Sequence, residues 1–84
     1  MAASDTMILT VLTPEKTLLE AGVSKVSLPG SKGRFMVLKD HAPIISSLSE
    51  GDLVYTSDNV EGRVAIRAGF VEVNRNRITV CAEV

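Results

Sequence analysis

The segment Leu28-Pro29-Gly30-Ser31-Lys32-Gly33-Arg34-Phe35-Met36-Val37-Leu38-Lys39-Asp40-His41-Ala42-Pro43 sets apolar runs on either side of a Gly-x-x-Gly turn and ends on the chain's one histidine. Gly30 and Gly33 bracket a two-residue tip, where positive φ is available on either side at no steric cost. Pro29 lacks a ladder donor, which suits a strand end or a sheet edge. Pro43 biases Ala42 toward extended geometry and stops a helix from starting there. The segment therefore reads as two strands joined by a tight turn and followed by a positioned loop. These features shape backbone and perform no chemistry.

The same grammar extends outward in both directions. Period-2 segments recur between Gly, Pro, Asn, Asp and Ser clusters, and no long amphipathic helix interrupts them. Residues 6–12 form a first strand, with Ile8, Thr10 and Leu12 on one face and Leu9 and Val11 on the other. Residues 17–21 and 23–28 follow, the latter placing Val26 and Leu28 together opposite Lys25 and Ser27. After Phe35 to Leu38, Ile44 and Ile45 lead into Ser46-Ser47-Leu48, and Glu50-Gly51-Asp52 makes another turn. Residues 53–56 and 63–67 pair across a polar loop at 57–62, with Val64, Ile66 and Ala68 sharing a face. Residues 70–73 and 77–82 form a last hairpin around Asn74-Arg75-Asn76. About ten short strands with frequent turns predict an all-β, two-sheet antiparallel β-sandwich.

At 84 residues the chain is expected to be one domain, 1–84. With few aromatics, its core has to be built from Val, Ile, Leu, Met and Ala. Such a core supplies only about 3–5 kcal/mol, so stability contributed by a partner is expected. Nine basic and ten acidic side chains leave a net charge of −1. That balance offers no cationic field for nucleic acid and no polybasic stretch for anionic lipid. The first six residues have neither the basic nor the apolar region of a secretory signal, and no apolar run approaches bilayer length. A soluble, intracellular protein is expected, without direct membrane insertion, whose membrane association comes through a partner.

Candidate chemistry is sparse. His41 is unique, so any Ser-His-Asp or Cys-His arrangement would depend on it alone. Asp40 adjoins it, but neighbours on extended chain point to opposite faces. Cys81 stands alone between Val80 and Ala82 as a packed or partly exposed inert thiol, too far from His41 for a metal ligand set. No catalytic residue, metal or cofactor is assigned. The glycine turn is not a phosphate loop, because no Gly-Lys-Ser/Thr follows it. An oligonucleotide barrel would want more aromatics than Phe35, Tyr55 and Phe70. A carrier domain modified on Lys32, at a hairpin tip, is the alternative of another class, although the dipeptides typical of such carriers are absent.

The order apolar-Pro-Gly-x-x-Gly-x-apolar followed by His-Ala-Pro resembles the epsilon subunit of the rotary, proton-translocating ATP synthase, in its N-terminal β domain. Val11-Leu12-Thr13-Pro14-Glu15 resembles that family's opening strand and turn. Ala68-Gly69-Phe70-Val71-Glu72-Val73 and Asn76-Arg77-Ile78-Thr79-Val80 resemble its closing hairpin. The resemblance implies a ten-stranded sandwich without catalysis, acting in the central stalk as part of the rotor. One surface would dock on the gamma subunit and the lower end would rest on the polar loops of the c-ring. Proton flow would thereby be coupled to ATP synthesis, at the cytoplasmic face of the bacterial inner membrane. Carried over by position, the gamma-facing residues are Thr13, His41 and Ser46, and the c-ring contacts are Ser31, Lys32 and Arg34.

Three departures from the family pattern stand out. Its glycine turn often carries glutamate, whereas this chain has Lys32 and Arg34, so a ring loop of acidic or polar-acceptor character is expected. The family continues into a C-terminal helical hairpin that binds ATP or blocks rotation; this chain stops at Val84, where that hairpin would begin. A naturally short subunit and an N-terminal fragment both fit. The ending without tag or linker favours the first, and neither would carry hairpin-mediated inhibition. Finally, Arg67-Ala68 precedes Gly69 where a serine and a second glycine are frequent in the family, so the backbone there either avoids strongly positive φ or tolerates some strain.

Overall fold

A computed structural model describes residues 7–84. Among them the strands are β1 (Met7–Leu12), β2 (Thr17–Val23), β3 (Lys25–Leu28), β4 (Phe35–Leu38), β5 (Ile44–Leu48), β6 (Gly51–Ser57), β7 (Val60–Ile66), β8 (Ala68–Asn74) and β9 (Arg77–Glu83). They form a five-stranded sheet, β2-β1-β9-β8-β5, facing a four-stranded sheet, β4-β3-β6-β7. The all-β sandwich is as expected. Its ladders are antiparallel except one: β1 runs parallel to β9, from Ile8 opposite Arg77 to Leu12 opposite Cys81. Thr6, expected to open the first strand, lies outside the described residues.

Alternation decides which side chains meet between the sheets. In β1 Met7, Leu9 and Val11 are buried, and in β9 Ile78, Val80 and Ala82 are. Val23, Val26, Leu28, Val37, Leu48, Leu53, Ile66, Val71 and Val73 complete the core, with Phe35 and Tyr55 packed at its margin. Among the described residues no polar or charged side chain is buried. The interior is thus aliphatic, as the scarcity of aromatics dictates.

Several boundaries fall elsewhere than expected, each for a local reason. Val23 belongs to β2, because Ser24 turns the chain into the other sheet, its N–H and Oγ both donating to the Thr56 carbonyl at 2.9 and 3.4 Å. The polar stretch 57–62 is ladder almost throughout: Ser57 pairs with Val60 and Tyr55 with Gly62. Only Asp58 and Asn59 turn, both at positive φ (50° and 64°), the signature of a two-residue hairpin. Ala68 does not share a face with Val64 and Ile66. Arg67 donates its N–H to the Glu83 carbonyl at 2.7 Å, and the chain crosses there into the first sheet. Ala68 is not at positive φ, as expected of a side-chain-bearing residue.

The glycine turn differs in mechanism. Gly33 alone has positive φ, 128°. Gly30 is needed for space: a Cβ there would lie 2.6 Å from the Gly33 carbonyl oxygen and 2.9 Å from the Phe35 ring. Gly30 also bridges to Leu48, which docks the turn on β5.

Leu53→Ala, at a fully buried position, is expected to cost about 2–5 kcal/mol in urea unfolding, and the exposed Ile45→Ala less than about 0.5 kcal/mol. Gly33→Ala is expected to cost about 1 kcal/mol or more through its φ alone, measured the same way, with the mutated turn as the only perturbation.

Candidate functional site

The strand registers divide the loops between two ends of the sandwich. One end carries the Thr13–Lys16 turn, the glycine turn and the Arg67 crossing; the other carries Ser24, the 39–43 connection and the Arg75-Asn76 turn. Each residue expected at an interface can be placed on this frame.

Thr13 closes its own turn. Its N–H and Oγ1 donate to the Lys16 carbonyl at 2.8 and 3.1 Å, and Oγ1 accepts from the Glu15 and Lys16 N–H groups at 3.3 and 3.2 Å. The hydroxyl shapes the turn around Pro14 and is spent there. His41 lies at the opposite end, one β9 length away, about 20 Å at strand rise. Thr13 and His41 are therefore not brought together.

His41 is half-buried in the connection between β4 and β5. Its N–H donates to the Leu38 carbonyl at 3.1 Å, and Nδ1 lies 2.7 Å from the Ala42 carbonyl. A carbonyl only accepts, so that bond puts a proton on Nδ1 and leaves Nε2 to bond elsewhere. Asp40 beside it has φ 63° and is not on extended chain, contrary to the expectation of opposite faces. Its backbone N–H and Oδ1 both pair with the Asn76 side chain, at 2.7 and 3.1 Å. Asp40 is thus engaged away from the imidazole, and no acid–base pair forms. Ser46 sits on the inward side of the edge strand β5, half-buried, with Oγ donating to the Ser47 carbonyl at 3.0 Å.

In the glycine turn the three expected contacts separate. Ser31 folds back on β5: its N–H donates to the Ser47 carbonyl at 3.0 Å and its Oγ accepts from Ser47 Oγ at 2.9 Å. Arg34 lies over the other sheet, donating to Ser27 Oγ at 2.9 Å and the Asp52 carbonyl at 2.6 Å. Lys32 is exposed at the tip and, among the described residues, has no hydrogen bond or ion pair. It is the one member of the three free to meet a partner.

One apolar surface went unread in the sequence. Leu12, Cys81, Phe70 and Ser47 are register partners across β1, β9, β8 and β5, all on the outer face. The first three of these, with Pro14, Leu48 and Ala68, line an open groove of about 520 Å³. Phe70 is 61% exposed there, and Ile45 nearby is 79% exposed. Period 2 carried the signal, since Val71 and Val73 facing inward oblige Phe70 to face out. Among the described residues no three of His, Cys, Asp and Glu could hold a metal together. Arg63 pairs with Asp52 and Glu61 at 3.5 and 3.6 Å, all exposed, which adds little to stability.

Residues 6–84 match the family described as ATP synthase, Delta/Epsilon chain, beta-sandwich domain. The chain is 47% identical over 78 residues to the ATP synthase epsilon chain of Symbiobacterium thermophilum, covering 92% of this chain and 56% of that one. Two solved assemblies share the fold at low identity. In the central stalk and c-ring of Tetrahymena thermophila mitochondrial ATP synthase the likeness has a TM-score of 0.77 at 20% identity, covering 94% of this chain and 64% of the other. In the Euglena gracilis mitochondrial ATP synthase it reaches 0.87 at 21%, covering 93% and 51%. On the match over residues 6–84 and that 47% identity, the chain belongs to the ATP synthase delta/epsilon family, as its β-sandwich domain.

Proposed function

We propose that this chain is the sandwich of an epsilon subunit seated in the central stalk, a non-catalytic part of the rotor that links the gamma subunit to the c-ring. In that position it couples proton flow to ATP synthesis from the cytoplasmic face of a bacterial inner membrane, as a peripheral component. The observation that carries the reading is the family match along nearly the whole sandwich. The chain's physical character is in keeping with it. Two sheets closed on an aliphatic core and joined by short turns make a stiff body, able to transmit torque with little internal give. Among the described residues no helix is long and apolar enough to cross a membrane. The geometry offers the lysine-carrier alternative nothing beyond the exposure of Lys32.

On this reading His41, with Nε2 uncommitted, and the edge strand bearing Ser46 meet gamma. A partner touching Thr13 as well has to run the length of the sheet, and Thr13 contributes turn shape, its hydroxyl being occupied. The c-ring contact narrows to Lys32, because Ser31 and Arg34 are engaged within the chain. A lone exposed cation at a rim steers association and selects partners more than it adds affinity.

Titration of the chain with gamma from the same organism, by calorimetry, is expected to give tight one-to-one binding that His41→Ala weakens by about tenfold. No binding by a folded sample would overturn the reading. Lys32→Glu is expected to slow association with the isolated c-ring several-fold at low salt while leaving gamma binding unchanged, with the difference shrinking as salt rises. Equal rates for both variants at low salt would remove Lys32 from the ring contact.

A further inference from the structure

We propose that Asn76 is a positioning residue for the gamma-docking loop His41-Ala42-Pro43, acting through Asp40. The inference rests on the reading of His41 as a gamma contact and adds the element that holds it in place. Asn76 sits in the β8–β9 turn, distant in sequence from the loop it touches. Its Oδ1 accepts the Asp40 N–H at 2.7 Å, and its Nδ2 donates to Asp40 Oδ1 at 3.1 Å. Its own carbonyl accepts the Ile8 N–H at 2.9 Å. One residue therefore ties together the start of β1, the last hairpin and the connection between the sheets.

Both partners of the clasp are in left-handed backbone, Asp40 at φ 63° and Asn76 at φ 62°. Glycine would adopt that conformation more cheaply, but at position 76 it could form neither bond and at position 40 it would keep only the backbone one. Beyond the clasp the loop is held at each successive residue. The His41 N–H closes on Leu38, His41 Nδ1 bonds the Ala42 carbonyl, and Pro43 restricts Ala42. Fixing Asp40 anchors that short series to the sandwich, and a loop already fixed loses less freedom when a partner binds.

The test is calorimetric titration of the 84-residue chain with gamma, using Asn76→Gly, which keeps positive φ accessible and removes both clasp bonds. Asn76→Gly is expected to bind gamma about three- to tenfold more weakly. Asn59→Gly, the like change in the β6–β7 turn, is expected to bind as wild type. Combined with His41→Ala, Asn76→Gly is expected to add no further loss. The exchange Asp40→Asn with Asn76→Asp, which keeps two bonds with the charge moved across, is expected to restore binding to within about twofold. Wild-type affinity in Asn76→Gly, a loss that adds in full to that of His41→Ala, or no rescue by the exchange would each overturn the inference while the rotor reading stands. A wild-type chain that fails to bind gamma would bring down the rotor reading itself, and the positioning role with it.

Discussion

The parallel ladder between β1 and β9 is the pairing on which the larger sheet depends. β2 is held through β1, and β8 with β5 through β9, so without Ile8–Leu12 beside Arg77–Cys81 the sheet falls into two pieces. Neither piece could cover the inner face of the other sheet, and Leu9, Val11, Ile78 and Val80 would lose their common burial. A parallel ladder cannot be made by a tight turn. Here it joins the first described strand to the last, and its loop-closure entropy has to be met by contacts formed across the whole sandwich. The fold is cooperative for that reason, and local hairpins such as β6–β7 and β8–β9 are where native pairing is cheapest to begin.

The same arrangement sorts the surface. Because the strands all run between two ends, every loop belongs to one end or the other, and chemistry close in sequence can be far apart in space. Lys32 and His41 are near neighbours along the chain, yet β4 lies between them and they face opposite ways along the sandwich. The proposed rotor role, with gamma and the c-ring contacted at once, would need that separation. Loops at each end are fixed by different means. Thr13 closes its turn with its own hydroxyl, the glycine turn leans on Leu48 and Ser47, and the 39–43 connection is clasped by Asn76. None of these devices depends on burying a polar group, so among the described residues the interior remains purely apolar.

Much of this was legible beforehand, and the failures were physical in kind. Strict alternation around Val26 and Leu28 and around Val71 and Val73 announced strands with one buried face, and four ordered motifs announced the family. The stretch 57–62 was misread as loop because its composition is polar, although Asp58 and Asn59 alone supply the turn and the flanking residues are held by the ladder. Ser24 and Arg67 were read inside strands because a change of sheet costs a single residue and leaves no break in apolar pattern. The candidate interface residues were found by resemblance, which ranks positions but does not show what their side chains are already bonded to. Arg34 and Thr13 were indistinguishable in sequence from Lys32 and His41, and only their partners separate them.

The sequence by itself determined the fold class, the aliphatic core, the turns that need glycine, asparagine or aspartate, and the family, because each of these is written in short-range periodicity and local motif. Tertiary structure alone decided the parallel closure of β1 on β9, the row of Leu12, Cys81 and Phe70 on one outer face, and the division of the loops between two ends. It also decided that Arg34 is held while Lys32 is free, and that Asn76 reaches Asp40. These depend on pairs distant along the chain, whose contact is set by how the two sheets close on their common core and by nothing in the residues flanking either partner.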